Sequence, residues 1–162
     1  MPLSKELFSR PSSKKFRSYY LGFNQFTKIG PVNLRYLENY FSNLEQAWWA
    51  NSFDLEHAGL SEKLAGEFVD WRQNCNLAKL EESLEREKIN YLTWQDDNYP
   101  NILKEISAPP PLLYYQGEAP VLHKKRLAIV GARKHSAYAE KIISELLPDT
   151  IKAGIEIISG LA

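Results

Sequence analysis

The sequence predicts an α+β chain: a helical N-terminal domain followed by the first βαβ unit of a parallel α/β sheet. Two observations carry this. Apolar residues recur at helical spacing through most of residues 19–88. Residues 126–162, RLAIVGARKHSAYAEKIISELLPDTIKAGIEIISGLA, change period twice and read as strand, glycine turn, amphipathic helix and strand. A third observation, two basic blocks flanking an acidic middle, bears on partners rather than fold.

The 162 residues suffice for one domain, or one small domain and a portion of another. With 44% apolar residues, four Trp and nine Tyr, they can bury a core. No apolar run approaches the roughly 18 residues of a membrane span. One cysteine, Cys75, leaves no internal disulfide and no cysteine-based metal cluster, and is expected to be a buried or half-buried small hydrophobe. His57, His123 and His135 lack metal-ligand spacing.

Residues 1–18 are rich in Ser, Lys and Arg with little periodicity and read as a flexible basic arm. They lack the apolar core of a secretory signal. They are basic and acid-poor, as a transit peptide is, but show no evident amphipathic helix. The folded region begins at Tyr19, with Tyr20, Leu21, Phe23 and Phe26 as apolar bulk. Ile29-Gly30-Pro31 breaks the pattern, and Val32, Leu34, Leu37, Tyr40 and Phe41 resume it. Helix, glycine hairpin, helix is a helix-hairpin-helix outline. Free N–H groups at a helix start attract a phosphate, so Lys28, Gly30 and Arg35 are secondary nucleic-acid candidates. The usual hairpin has two glycines. Here Lys28 stands for the first, and a hairpin that only packs is the competing reading.

Residues 44–74 continue helical. Trp48, Trp49 and Phe53 are expected to pack together in the core. Ala58-Gly59-Leu60-Ser61 reads as a helix stop followed by an N-cap. Leu64, Phe68 and Trp71 line the next helix. Leu77, Leu80 and Leu84 line another, whose charged face runs from Glu81 to Lys88. Residues 89–94 read as a strand and 95–99 as a polar turn. Pro100 starts a short helix through Ile106, and the prolines at 109–111 lead into an extended segment, 112–115.

Residues 127–130 read as a strand buried on both faces, ended by Gly131. The loop 132–136 carries Arg133 and Lys134 and no acid. Ile142, Ile143, Leu146, Leu147 and Ile151 form one helical stripe, Lys152 sits in the last turn and Gly154 is the stop. Residues 155–158 form the second strand, and Ser159-Gly160 opens a second loop. Ligands of such sheets bind at the carboxyl ends of the parallel strands. Two apolar edges on so small a sheet predict self-association.

The net charge is zero but unevenly spread. Residues 7–37 hold six cations and no acid, residues 38–118 hold 15 acids against six bases, and residues 119–139 hold Lys124, Lys125, Arg126, Arg133 and Lys134 with no acid. The two basic blocks are candidate phosphate-facing surfaces. No Ser/His/Asp order, acid pair or P-loop stands out. V-G-A-R lacks the second and third glycines that admit a pyrophosphate, so no dinucleotide cofactor is expected, nor any other. What remains is a glycine turn, a helix start and a fork-shaped guanidinium, which together suit a phosphate oxygen.

I-V-G-A-R-K after a strand, then a helix, then I-I-S-G-L-A, resembles the core of the DNA processing protein A family (DprA, also called Smf), which reads V-G-S-R and then S-G-x-A-[RK]-G-I-D. Upstream, the Tyr-Pro at 99–100, Leu-Lys-Glu at 103–105, the proline run and Leu-Tyr-x-x-Gly at 113–117 resemble that family's entry segment. The resemblance covers residues 19–162 and departs at Ala132, where the family has Ser. It implies a sterile-alpha-motif-like (SAM-like) helical domain over 19–88. Over 89–162 it implies a strand–helix–strand extension on the edge of an incomplete Rossmann-like domain, cut before its basic residue and Gly-Ile-Asp. It implies a non-enzymatic cytoplasmic protein that binds single-stranded DNA during natural transformation, protects it, loads the RecA recombinase, and forms a homodimer through the Rossmann-like domain. The DNA-facing residues it implies are Gly131, Arg133, Lys134, Ser159 and Gly160; Lys124 and Lys125 of the second basic block are secondary candidates beside them. Two rival readings stay open: a nucleotide-handling enzyme on a related sheet, and an interaction module working through the helical domain.

Overall fold

The computed structural model describes residues 16–117 and 125–160. Of the residues singled out above, the arm up to Lys15, Lys124, and the Leu161-Ala162 end of the second motif lie outside them. The chain forms two compact units, Met1–Pro120 and Val121–Ala162. It is a mixed α+β protein.

The first unit opens with α1 (Arg17–Gln25), a tight turn, and α2 (Pro31–Tyr40), with Gly30 as N-cap and Pro31 at the first helical position. This is the expected helix-hairpin-helix outline. Four short helices follow: α3 (Leu44–Trp49), α4 (Ser52–His57), α5 (Glu62–Arg72) and α6 (Leu77–Arg86). Each is started by a side-chain cap. Asn43, Asn51, Ser61 and Asn76 accept from the amide three residues on, at 2.9–3.3 Å. Gly59, at φ +108°, makes the stop between α4 and α5 in a conformation that disfavours a side chain.

The core is aromatic. Phe23 stacks on Phe68 at 4.9 Å between ring centres, and Trp48 meets Phe23 and Phe68 edge-on at 5.4 and 5.5 Å. Trp49 and Phe53, expected beside Trp48, are instead 68% and 66% exposed. Adjacent residues on a helix point about 100° apart, so burying Trp48 turns Trp49 outward. The helix then breaks at Ala50–Asn51 and restarts with Phe53 on the surface. Cys75 is half-buried against this core.

β1 (Asn90–Thr93) pairs antiparallel with β2 (Leu112–Tyr115), Leu92 opposite Leu113, with the one-turn α7 (Asn101–Lys104) between them. Leu92, Trp94, Tyr99 and Leu112 share one core with the helices. The boundary expected after Lys88 therefore runs through a single compact unit, and the division falls after Pro120 instead. The reason is the bulk of Trp94 and Tyr99, both fully buried beneath the helices.

In the second unit β3 (Arg126–Ile129) pairs in parallel with β4 (Glu156–Ser159), joined by α8 (Ala137–Lys152). Gly154, at φ +74°, ends α8 as the sequence predicts. The helix continues through Pro148, whose missing N–H leaves one intrahelical bond unmade. The strand expected to be buried on both faces is not: no described residue from 125 to 160 is buried. Two strands and one helix have too little surface to enclose Leu127, Ile142, Ile143 or Leu146. Among the described residues no helix is long and apolar enough to cross a membrane.

Candidate nucleic-acid interface

Parallel pairing decides which loops meet. The register sets Ile129 opposite Ser159, so the loops opening at Val130 and at Gly160 leave the same end of the sheet. Gly131, Arg133 and Lys134 in the first loop, and Ser159 and Gly160 at the second, thus share that carboxyl edge, all of them exposed. Neither Gly131 nor Gly160 has a positive φ, and a Cβ at either would meet nothing within 4 Å. The glycines leave open backbone there rather than relieve a clash.

Ser136 forms the N-cap of α8, its Oγ accepting from the Ala139 amide at 3.3 Å. The start of this 16-residue helix therefore follows Arg133 and Lys134 directly, and its dipole adds positive potential at their position. Among the described residues neither cation has a carboxylate within ion-pair distance. Glu140, in the first turn of α8, is the nearest acid in sequence and offsets some of that potential. Tyr138, which is not among the residues expected from the sequence, is 73% exposed in the same first turn. An aromatic residue close in sequence to two exposed cations offers the two residue types that single-stranded nucleic-acid sites use to stack a base and hold a phosphate. Its sequence signal is a tyrosine immediately after the helix start, adjoining a loop without acids.

The secondary candidates fare differently. Lys125 lies at the other end of β3, where its carbonyl accepts from the Glu156 amide at 2.9 Å. It is six residues before Gly131 along extended chain, roughly 20 Å, and does not join the first loop. Arg126, from the same basic block, is paired with Glu156 at 3.0 Å.

In the helical hairpin, Lys28 is exposed but paired with Glu67 at 2.7 Å, and Pro31 removes one of the amides an anion would use. Arg35 is 8% exposed, its guanidinium over the Trp94 ring at 5.2 Å, and burial lowers its pKa. It faces the interior because its neighbour on α2, Glu38, is also buried, accepting from Tyr20 Oη, from Trp94 Nε1 at 3.1 Å and from Gln95 Nε2 at 3.4 Å. Arg35 therefore cannot reach a phosphate. Only Gly30 and a paired Lys28 remain of the hairpin set.

Comparison with known proteins places the chain among relatives of one family. The family described as DNA recombination-mediator protein A matches residues 90–162. Protein Smf of Synechocystis sp. is 32% identical over 153 residues, covering 90% of this chain and 38% of that protein. DNA processing protein DprA of Bacillus subtilis is 35% identical over 75 residues, 46% of this chain and 25% of that protein. Protein Smf of Escherichia coli is 31% identical over 112 residues, 67% of this chain and 29% of that protein. The chain thus spans well under half the length of these relatives. No solved structure gives a significant match. The matched segment contains the β1–β2 hairpin, both carboxyl-edge loops and α8, and on these grounds the chain belongs to the DprA/Smf family.

Proposed function

We propose that this chain belongs to a DNA-processing, recombination-mediator protein that binds single-stranded DNA by its phosphates at the carboxyl edge of the βαβ unit. The observation that carries the reading is the meeting of two open glycine loops, the start of α8 and the exposed Arg133 and Lys134 at one sheet edge. Backbone amides and the helix dipole receive a phosphate oxygen, Arg133 grips it bidentately, Lys134 adds charge, and Tyr138 stacks a base. Ser159 and Gly160 supply the second wall. In this reading the βαβ unit opens a Rossmann-like domain and the helices form a SAM-like one. The role is non-enzymatic and cytoplasmic: the protein shelters incoming single strands in natural transformation and passes them to the RecA recombinase. It does so as a homodimer built on the Rossmann-like domain. The relatives' names, DNA processing protein and recombination-mediator protein, support the coarse role.

The test is Arg133→Ala in a chain as long as the relatives, titrated with labelled oligonucleotides over a salt series. Phosphate contacts carry no base information, so affinity should fall about equally for all base sequences. The plot of log affinity against log salt should flatten by roughly 0.7, the single-strand value per neutralised phosphate. Unchanged affinity and slope in this variant, with a loss in Lys28→Ala, would move the site to the helical hairpin and favour the interaction-module reading.

A further inference from the structure

The first unit carries exposed rings inside an acidic stretch. Residues 36–62 contain no Lys or Arg, and of their acids Glu38 is buried while Glu45, Asp54, Glu56 and Glu62 are at least partly open. Within that stretch Tyr36 and Tyr40 are 48% and 53% exposed, beside the still more open Trp49 and Phe53. On α2 the exposed positions are Val32, Tyr36, Asn39 and Tyr40, none of them charged, while Leu34 and Leu37 are buried. An ordinary solvated helix looks like α6, whose open positions include Glu82, Glu85 and Arg86.

Tyr36 of α2 meets the turn that follows α4. Tyr36 lies against Gly59, so close that a methyl group there would come within 3.2 Å of its ring. Gly59 is two residues beyond His57, whose ring lies tilted against Phe53 with centres 4.1 Å apart. Glu56 stands three residues after Phe53, and Glu45 four before Trp49, so each ring has a carboxylate beside it on its own helix surface.

We propose that the exposed face carried by α2, α3 and α4 docks a basic, apolar peptide segment of a partner protein. Exposed aromatic rings are the residue types that anchor protein interfaces. The surrounding carboxylates select the sign of the partner's charge and repel a phosphate backbone. A base-stacking role for these rings is therefore disfavoured, in contrast to Tyr138, which follows a cationic loop in sequence. The surface is formed by residues of the first unit alone.

The test is selection of a random dodecapeptide phage library on the intact chain, followed by fluorescence anisotropy with the recovered peptides. Enriched peptides should carry net positive charge and aromatic or aliphatic side chains. Trp49→Ala/Phe53→Ala should weaken them about tenfold or more, the effect of losing an interface anchor. Glu45→Gln/Glu56→Gln, which leaves the rings in place, should weaken them several-fold and flatten their salt dependence. Thermal melts of both variants should stay close to the parent, since Trp49 and Phe53 are exposed and glutamine at 45 keeps an acceptor for the Tyr19 hydroxyl. No enrichment, peptides of neutral or acidic character, or peptides that bind both variants undiminished would overturn the proposal. So would a loss of oligo-dT binding in the ring variant, which would make nucleic acid the occupant.

Discussion

Gly22→Ala sets two physical effects against each other. Gly22 lies inside α1, where alanine is favoured over glycine by about 0.5–1 kcal/mol. A methyl group there would stand 2.6 Å from Trp48 Cη2 and 2.6 Å from Leu77 Cδ2, where carbon contacts want about 3.5–4.0 Å. Leu77 is half-buried and its tip can turn aside. Trp48 is fully buried with Tyr19, Phe23, Phe68 and Trp71 around it, and Arg72 donates to its carbonyl. Its ring must move by about 1 Å into close-packed neighbours, and overpacking of this kind costs about 1–3 kcal/mol. The clash outweighs the propensity gain, for a net loss of about 1–2 kcal/mol and a midpoint lower by roughly 5–10 °C. Urea unfolding followed by tryptophan fluorescence measures it. In a double-mutant cycle, Trp48→Phe should absorb some of the cost, since the smaller ring leaves room for the methyl. A Gly22→Ala chain as stable as the parent would show that α1 and α3 can separate freely, and would refute the account of a rigid aromatic core.

The other predictions follow from buried polar groups, a strained turn and open apolar surface. Burial raises the Glu38 pKa despite its three donors. The folded state therefore holds this proton more tightly than the unfolded one, and Glu38 adds stability as pH falls through its folded pKa toward the ordinary glutamate range. Glu38→Gln should remove that increment, so unfolding curves of the two proteins at several pH values should converge or diverge in that window and run parallel elsewhere. Tyr91 and Tyr99, both pushed up to about 12 chiefly by burial, should titrate after the exposed tyrosines in absorbance at 295 nm. The unfolded phenols ionise near 10, so the stability these two contribute should be lost as pH rises from about 10 to 12. Gly59→Ala should cost about 1–3 kcal/mol in thermal melts, because the residue sits at φ +108° against the Tyr36 ring. The second unit, with apolar residues of α8, β3 and β4 open, should make the chain self-associate, and light scattering that finds a monomer at tens of micromolar would contradict this.

Helix periods, the Ser61 cap and the Gly59 and Gly154 stops were legible in the sequence because they depend on near neighbours, whereas the asparagine caps and the break at Ala50–Asn51 were not read. Asn43, Asn51, Ser61 and Asn76 cap the amide three residues away, and Gly59 and Gly154 stop helices in conformations that glycine tolerates. The order of strand, turn, helix and strand from 126 to 159 was legible for the same reason, and with it the sheet edge on which Gly131, Arg133 and Ser159 meet. What could not be read was which way a side chain faces across long sequence separations. Arg35 and Glu38 look like surface charges by residue type alone. Their burial follows from Trp94, more than fifty residues away, lying over the guanidinium and donating to the carboxylate. Trp49 and Phe53 look like core and lie outside it, since Trp48 alone packs its edge against the stacked Phe23 and Phe68. Nor could the sequence show that the β1–β2 hairpin belongs with the helices, because that depends on Tyr99 and Leu112 finding the same core.

Arg17, the first residue of α1, donates to the Tyr91 carbonyl on β1, lies over the Tyr91 ring at 4.8 Å and reaches Asp96 at 3.4 Å. Its guanidinium thus ties a point 74 residues earlier in the chain to a main-chain acceptor of a two-stranded sheet. A strand with unclaimed acceptors is a template for a stray chain, and a cation fixed on one of them blunts it. The fastening also makes the two ends of the unit depend on each other. The helical layer must already be assembled for Arg17 to reach β1, so a proteolytic nick before α2 should loosen the hairpin as well as the first helix.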